Sequence, residues 1–368
     1  MMFISEYVSG FHLCKYFSTI TRTWLFTLCW IINNDMEGKM NAMVLEQPGR
    51  PLKHQMVQIP LPAPTQLQIK VIACGVCRTD LHVIDGELTQ PKLPLVPGHE
   101  VIGRVTLVGA KTSGFRSGDI VGVPWLGYTC GECKFCRSER ENLCENGLFT
   151  GYTLDGGYAE YMVADARFCF PMPEGYQDAA AAPLLCAGLI GFRSYRMIRP
   201  EAQNIGLYGF GAAAHILTQV AKAQHKQVFA FTRDGDTKGQ LFAIKMGAGW
   251  AGSSREDPPE KLDAAIILAP AGELVPKALK DIDKAGQVIC GGIHMSTIPA
   301  FSYDLLWGER SVQSVANLTR EDGSAFLKQI QLSPIKTQTT YFKLSEANEA
   351  LDQLRKGKIN GAAVLVME

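Results

Sequence analysis

Four cysteines stand close together in this chain: Cys130-Gly-Glu-Cys133-Lys-Phe-Cys136, then Cys144, a C-x2-C-x2-C-x7-C run. Four thiolates in so short a segment can close a tetrahedral zinc shell and leave no open position. A filled shell cannot take a substrate, so this metal is expected to order its own loop. Other readings compete. Four unrelated reduced cysteines would not need such spacing. A nucleic-acid-binding zinc module usually splits its pairs around a longer finger, and the basic and acidic neighbours here nearly balance. An iron–sulfur cluster is chemically open to four thiolates, but zinc is the better match.

Other ligating side chains are scattered. Cys77-Arg-Thr-Asp-Leu-His82 and Gly98-His-Glu100 lie upstream of that loop, and Cys186 follows it in Pro183-Leu-Leu-Cys-Ala-Gly188. A catalytic zinc keeps three protein ligands and a fourth position for water or substrate. Cys77, His99 and Cys186 would make a two-sulfur, one-nitrogen site. Spacing alone carries little here, because Cys and His are often simply buried.

A third group suggests a dinucleotide. Gly209-Phe-Gly211-Ala-Ala-Ala214 follows an apolar run and opens a helix-like one. Gly209 permits the tight turn, Gly211 lets a pyrophosphate approach the backbone, and Ala214 packs helix against strand. The helix start near Ala212 should offer N–H groups to the phosphates. At the end of the next apolar run an acid would accept from the adenosine ribose, but this chain reads Val228-Phe-Ala-Phe-Thr232-Arg233. Thr232 repels no phosphate and can donate to one, and Arg233 offers a fork of donors. NADP is therefore expected over NAD. Asp234 and Asp236 follow closely and are placed to neutralise that arginine.

The elements that must hold these groups fall into two kinds. From Asn41 to about Val123 the text is short β-rich segments cut by Gly and Pro, including Gln68–Ala73, Val101–Val108 and Gly118–Val123, which suggests a small β-barrel. After about Ala179 apolar runs alternate with helix-length segments: Asn204–Tyr208, then Ala212 to Gln224, Val228–Phe231, Ala264–Leu268 and Gln287–Cys290. That alternation argues for a doubly wound parallel sheet. A helical stretch over Ser345–Lys356 and a strand over Ala363–Val366 close the chain. A length of 368 residues suits two domains, and 46% apolar with 20% charged residues is ordinary for a globular protein. Lys+Arg and Asp+Glu are both 36, so charge points to neither nucleic acid nor an anionic membrane.

The first 35 residues differ from the rest. Trp24–Ile32 is apolar but shorter than the ~20 residues of a spanning helix, and Glu6 and Asn33-Asn-Asp35 fit a signal peptide poorly. A disordered or docked extension, a weak anchor and an untranslated upstream start are the readings, with Met36, Met40 and Met43 as alternative starts. The untranslated start is preferred. Thiolate ligands persist best under reducing conditions, so the cytoplasm is expected.

From about Met40 to Glu368 the sequence resembles the zinc-containing alcohol dehydrogenases of the medium-chain dehydrogenase/reductase superfamily. Cys74-Gly-Val-Cys77-Arg-Thr-Asp-Leu-His82, Pro97-Gly-His-Glu-Val101, the four-cysteine loop and Asp155-Gly-Gly-Tyr-Ala-Glu160 carry the resemblance, in the family's order. It implies an α/β protein with a GroES-like β-barrel catalytic domain, 36–187 and 317–368, around a Rossmann cofactor domain, 188–316. It assigns Cys77, His99 and Cys186 to a catalytic zinc, and Cys130, Cys133, Cys136 and Cys144 to a structural one. Thr79 would lie beside the substrate oxygen and His82 at the outer end of a proton relay. Asp80 would accept from the His99 nitrogen that does not bind metal, and Glu100 would sit behind the zinc. Structural ion pairing is the plainer role for both acids. Arg78 stands where many relatives have His, near the expected pyrophosphate, and Arg320 matches a basic residue that reaches the cofactor phosphates. For both, a surface arginine without cofactor contact is the alternative. Trp125 would wall the substrate pocket and favour slim primary alcohols or flat aldehydes. His294, after the glycines under the expected nicotinamide, is open between a pocket residue and an inert one.

The implied activity is hydride transfer between an alcohol or aldehyde and a nicotinamide dinucleotide, in a homodimer or homotetramer, with two zinc ions per chain and no membrane or nucleic-acid partner. An NADPH-dependent aldehyde reductase would use the same residues in reverse. A zinc-free quinone or enone reductase would not need these ligands, and a polyol dehydrogenase would more often carry Glu in place of Cys186. Outside enzymes, the alternative is a non-catalytic binding protein on this fold.

Overall fold

The computed structural model describes residues 38–367, so the expectations for residues 1–35 lie outside it. Among the described residues no helix is long and apolar enough to cross a membrane. Two large sheets organise the chain. The hub of the first is Gln66–Val76, whose Leu67, Ile69, Val71 and Ala73 are buried at alternate positions, as the pleat requires. It pairs antiparallel with Val101–Val108, with Tyr161–Asp165 near its start, and with Ala362–Val366 near its end, where Ala363 faces Val76. Ile120–Val123 and Phe170–Pro171 extend the sheet on one side and Thr339–Lys343 on the other. The last segments of the chain therefore complete the sheet that its first half begins.

The second sheet is the doubly wound one. Its six parallel strands lie in the order Trp250–Ser253, Gln227–Thr232, Asn204–Tyr208, Leu262–Ile267, Ile282–Cys290, Ser311–Ser314. Helices Ala212–Ala223, Thr237–Met246 and Leu274–Asp281 connect successive strands. The order reverses beside Asn204–Tyr208, and the crevice at that strand's carboxyl end is where such sheets bind ligands. Gly209-Phe-Gly211 sits there. The two outer strands had no counterpart among the apolar runs. Each pairs on one side only, and Ser311–Ser314 is half exposed or exposed throughout, so neither needed a continuous apolar sequence.

One apolar core joins the two sheets. Ala73, Ile102 and Val364 from the first share it with Ile205, Leu207 and Ile289 from the second. The segment between is a 3-10 stretch, Ala179–Leu185, that runs straight into the Ala187–Arg196 helix with Cys186 at the joint. That joint carries a cysteine from the second half of the molecule to the first.

Candidate active site

Asp80 organises the buried cluster. It is the third residue of the Arg78–Ile84 helix, and its carboxylate turns back to accept the Cys77 N–H at 2.8 Å. The same carboxylate lies 3.0 Å from His99 Nδ1 and accepts the Tyr158 hydroxyl at 3.1 Å. An ionised carboxylate only accepts, so Nδ1 carries the proton and the lone pair is left on Nε2. His99 is fully buried, and its Nε2 has no hydrogen-bond partner among the described residues. An orphaned buried nitrogen of that kind is costly unless something binds it.

Cys77, Glu100 and Cys186 surround that nitrogen. One donor atom from each of the four residues fits within 4.8 Å of all the others, and the Cys77 and Cys186 sulfurs are 3.8 Å apart. Glu100 reaches the site because residue 75 is glycine: a Cβ there would sit 1.8 Å from Glu100 Oε2. The hydrogen bond with Cys186 first, and then the closeness of the His99 ring, hold the Cys77 thiol well below its usual range despite burial. Burial first, and then the Cys77 sulfur, push the Glu100 carboxyl well up. So many anionic donors in one dry site fit a divalent cation, which would relieve both the crowding and the orphaned nitrogen.

The cluster opens on a cavity of about 420 Å³ between the two sheets. Thr79, Trp125 and Cys186 line one side, and Gly291, Gly292 and the 314–318 segment the other. Thr79 Oγ1 is 3.7 Å from Cys77 Sγ. Trp125 meets the His99 ring edge-on at 4.9 Å and stacks with Phe149 at 5.4 Å and Tyr152 at 5.7 Å. The expected wall is thus a three-ring aromatic face. His82 has its Nδ1 hydrogen-bonded to the Glu87 carboxylate, and the His294 ring lies 5.2 Å away across from it.

The Gly209–Ala214 segment, expected to take a dinucleotide, lies at the switch point. Gly209 has φ +94, and a Cβ would fall 2.9 Å from the Ala269 backbone nitrogen, so both turn and space demand glycine. Gly211 caps the Ala212–Ala223 helix, with nothing within 4 Å of where a Cβ would be, and Ala214 is fully buried. Thr232 is buried rather than poised for a ligand. Its hydroxyl lies 3.3 Å from the Gly252 carbonyl and 3.2 Å from that of Arg233, which engages the donor the sequence left for a phosphate. Arg233 is exposed and has no partner among the described residues. The two acids placed to neutralise it are engaged elsewhere: Asp234 faces Arg255 at 3.6 Å, and Asp236 accepts Gly239 N–H at 2.8 Å as a helix cap. Arg78 is likewise exposed and unpaired.

Arg320 departs from expectation. Its backbone N–H and Nε both donate to Glu141, at 3.0 and 3.2 Å, and its guanidinium lies over the Phe168 ring. It ties the four-cysteine loop to the Arg320–Leu332 helix instead of standing free for a phosphate.

In that loop the sulfurs of Cys133 and Cys136, and of Cys144 and Cys130, are each 3.5 Å apart. All four sulfurs lie within 4.8 Å of one another, and two backbone N–H groups, of Cys130 and Cys133, point at sulfur. Hydrogen bonds from the Cys136 backbone lower the Cys133 thiol to about 6, while burial pushes Cys136 up to about 12. Phe149, Tyr152, Glu87 and Glu141 occupy no recognisable motif position in the sequence. Only Tyr158 carried a signal, inside the Gly156-Gly-Tyr-Ala motif.

Residues 63–174 match the family described as alcohol dehydrogenase GroES-like domain. The chain is 43% identical over 339 residues to a probable alcohol dehydrogenase AdhA of Mycobacterium tuberculosis, covering 89% of this chain and 97% of that one. It is 33% identical over 340 residues to an alcohol dehydrogenase of Geobacillus stearothermophilus, covering 89% and 100%. Among solved structures, a cinnamyl alcohol dehydrogenase of Sorghum bicolor superposes with a TM-score of 0.81 at 26% identity, covering 89% of this chain and 97% of that one.

Proposed function

The chain belongs to the alcohol dehydrogenases of the medium-chain dehydrogenase/reductase superfamily, which interconvert alcohols and aldehydes, and we propose that it does so with zinc and NADP. The observation that carries the zinc reading is the orphaned His99 Nε2, buried among Cys77, Glu100 and Cys186, the last of which lines the cavity. Cys77, His99 and Cys186 would hold the ion, with Glu100 behind it. Zinc there supplies Lewis acidity, which lowers the pKa of an alcohol hydroxyl. Thr79, on the cavity wall beside Cys77, would accept the hydroxyl proton while passing its own on, and His82, its ring fixed by Glu87, would release a proton to solvent. The aromatic face of Trp125, Phe149 and Tyr152 keeps water away and favours slim or flat substrates. The four-cysteine loop would hold a second, structural zinc.

The 36–187 and 317–368 segments carry the chemistry in this reading, and 188–316 carries the cofactor on Gly209, Gly211 and Ala214. Arg78 lies ready for the pyrophosphate. Unpaired Arg233 favours NADP, because the 2′-phosphate carries about two negative charges and a charge-assisted contact contributes roughly 1.5–3 kcal/mol, or about 10- to 100-fold. A homodimer or homotetramer is supported by the outer strand Ser311–Ser314, unpaired on one side among the described residues, with exposed Tyr303 and Trp307 close by in the chain. Zinc content, together with nicotinamide absorbance change on ethanol, butanol and benzaldehyde, tests the reading. Two zinc ions per chain and a higher kcat/KM with NADP are expected, with Arg233→Ala erasing most of that preference. A clear NAD preference that Arg233→Ala leaves unchanged overturns the cofactor choice.

A further inference from the structure

The wall of the cavity opposite Thr79 is the connection from Ser311–Ser314 to the Arg320–Leu332 helix, and it is held in an unusual way. Val315 is anchored below it, its N–H donating to the Cys290 carbonyl at 2.9 Å, and Leu318 is buried in the shared core above. Between these anchors Ala316 and Asn317 line the cavity, and Asn317 takes a left-handed backbone with φ +55. Their hydrogen bonds among the described residues come from one side chain exchange. Asn142 Nδ2 donates to the Ala316 carbonyl at 2.8 Å, and Asn317 Nδ2 donates back to the Asn142 carbonyl at 3.1 Å. Asn142 belongs to the four-cysteine loop, two residues before Cys144, and is buried. Next to it Glu141 grips the following helix through Arg320.

We propose that the Asn142–Asn317 exchange is a positioning device, through which the four-cysteine loop sets where the 316–317 wall stands and so how well the cavity fits its ligands. The inference rests on the reading that this cavity takes the reacting ends of cofactor and substrate. Asn142 makes a poor pure stabiliser. Its Oδ1 is buried with no partner among the described residues, and the desolvation of that atom offsets the bond its Nδ2 makes. What the exchange does provide is direction: two antiparallel bonds fix both the height and the tilt of a two-residue bridge that has no other hydrogen bonds among the described residues.

Asn142→Ala removes one arm, and Asn317→Gly removes the other while tolerating the left-handed backbone. Steady-state kinetics on the full chain are compared with zinc content and thermal midpoint. Each variant is expected to raise KM for the nucleotide or the substrate about 5-fold, the loss of one ordinary hydrogen bond. kcat and zinc content should stay near those of the unaltered protein. The double variant should exceed either single one by little, because cutting either arm frees the same bridge. Arg137→Ala, exposed on the same loop, should change nothing. Unchanged KM values in Asn317→Gly, with or without a lowered midpoint, overturn the inference. Absence of turnover in the unaltered protein with any alcohol, aldehyde or nucleotide would instead remove the function reading beneath it.

Discussion

Two clusters of sulfur ligands sit in one molecule and are built in opposite ways. Cys130, Cys133, Cys136 and Cys144 come from a single loop, each half buried, with backbone N–H groups turned toward sulfur. Cys77, the His99-Glu100 pair and Cys186 come from three separate segments, with His99 and Glu100 fully or nearly buried and Asp80 and Tyr158 behind them. The first set is complete in itself and does not line the cavity described above. The second is mixed in chemistry, rigid on its far side and open on the near side to Thr79 and the aromatic face. A metal in the first can only shape chain, whereas one in the second can meet a substrate. The two are nevertheless joined, because the loop that bears the first also touches the wall facing the second.

The widest separation between the clusters should appear on deleting one ligand from each. Cys77→Ala is expected to lower kcat/KM by about 10³-fold or more, the scale of losing several kcal/mol of Lewis-acid stabilisation. Zinc should fall to one ion per chain with the fold intact. Cys133→Ala should instead lower the thermal midpoint and solubility, since a closed zinc shell contributes directly to folding. Protein that remains folded should keep most of its kcat, with a raised KM if the wall moves. Circular dichroism melts beside metal analysis check both. Abolished turnover in Cys133→Ala, with stability and assembly intact, would reverse the division of roles.

A smaller effect is expected one step back from the metal. Asp80→Asn leaves the shape of the site but loses the charge that fixes His99 with its proton on Nδ1. Supporting partners of this kind typically alter metal affinity about 10- to 100-fold. Zinc retention under competition with a chelator should therefore fall for the buried site alone. Equal loss from both sites would mean that the substitution acts on the fold rather than on His99.

The same contrast decides what could be read from sequence. The four-cysteine loop was plain because its ligands lie within one short run, and a chain that short can hardly avoid bringing them together. Cys77, His99 and Cys186 are united by sheet pairing, Cys74 with Val101, and by the 3-10 segment that carries Cys186 across. No local spacing records that, so a family resemblance had to supply the set. The glycine fingerprint and its strand and helix were legible for the opposite reason, since the turn at Gly209 is a local steric demand. The hold of Glu141 on Arg320 was not legible because the two are 179 positions apart. The burial of Thr232 was not legible either, because its residue type leaves open which carbonyl its hydroxyl finds.

The smallest expected effect lies at His82, along the proposed proton path. Glu87 keeps its carboxylate below the usual range chiefly through the hydrogen bond with His82, so it stays ionised at any pH where the enzyme would be assayed. A carboxylate can only accept, which leaves the proton of neutral His82 on Nδ1 and makes Nε2 the atom able to receive another. Alcohol oxidation releases a proton, and the release is hardest at low pH. His82→Gln should therefore slow oxidation most at the acid end and converge with the unaltered enzyme as pH rises and solvent takes over. A general base is typically worth about 10²–10⁴-fold, and a group that water can partly replace should fall below that range. Thr79→Ala should cost more at every pH, because its hydroxyl lies on the cavity wall beside Cys77, where water has no easy equivalent. Glu87→Gln should shift the profile less than His82→Gln, since an amide can present its oxygen to the same Nδ1–H. Small, pH-independent and equal losses in Thr79→Ala and His82→Gln would show that the proton leaves by another route and that His82 only holds its helix.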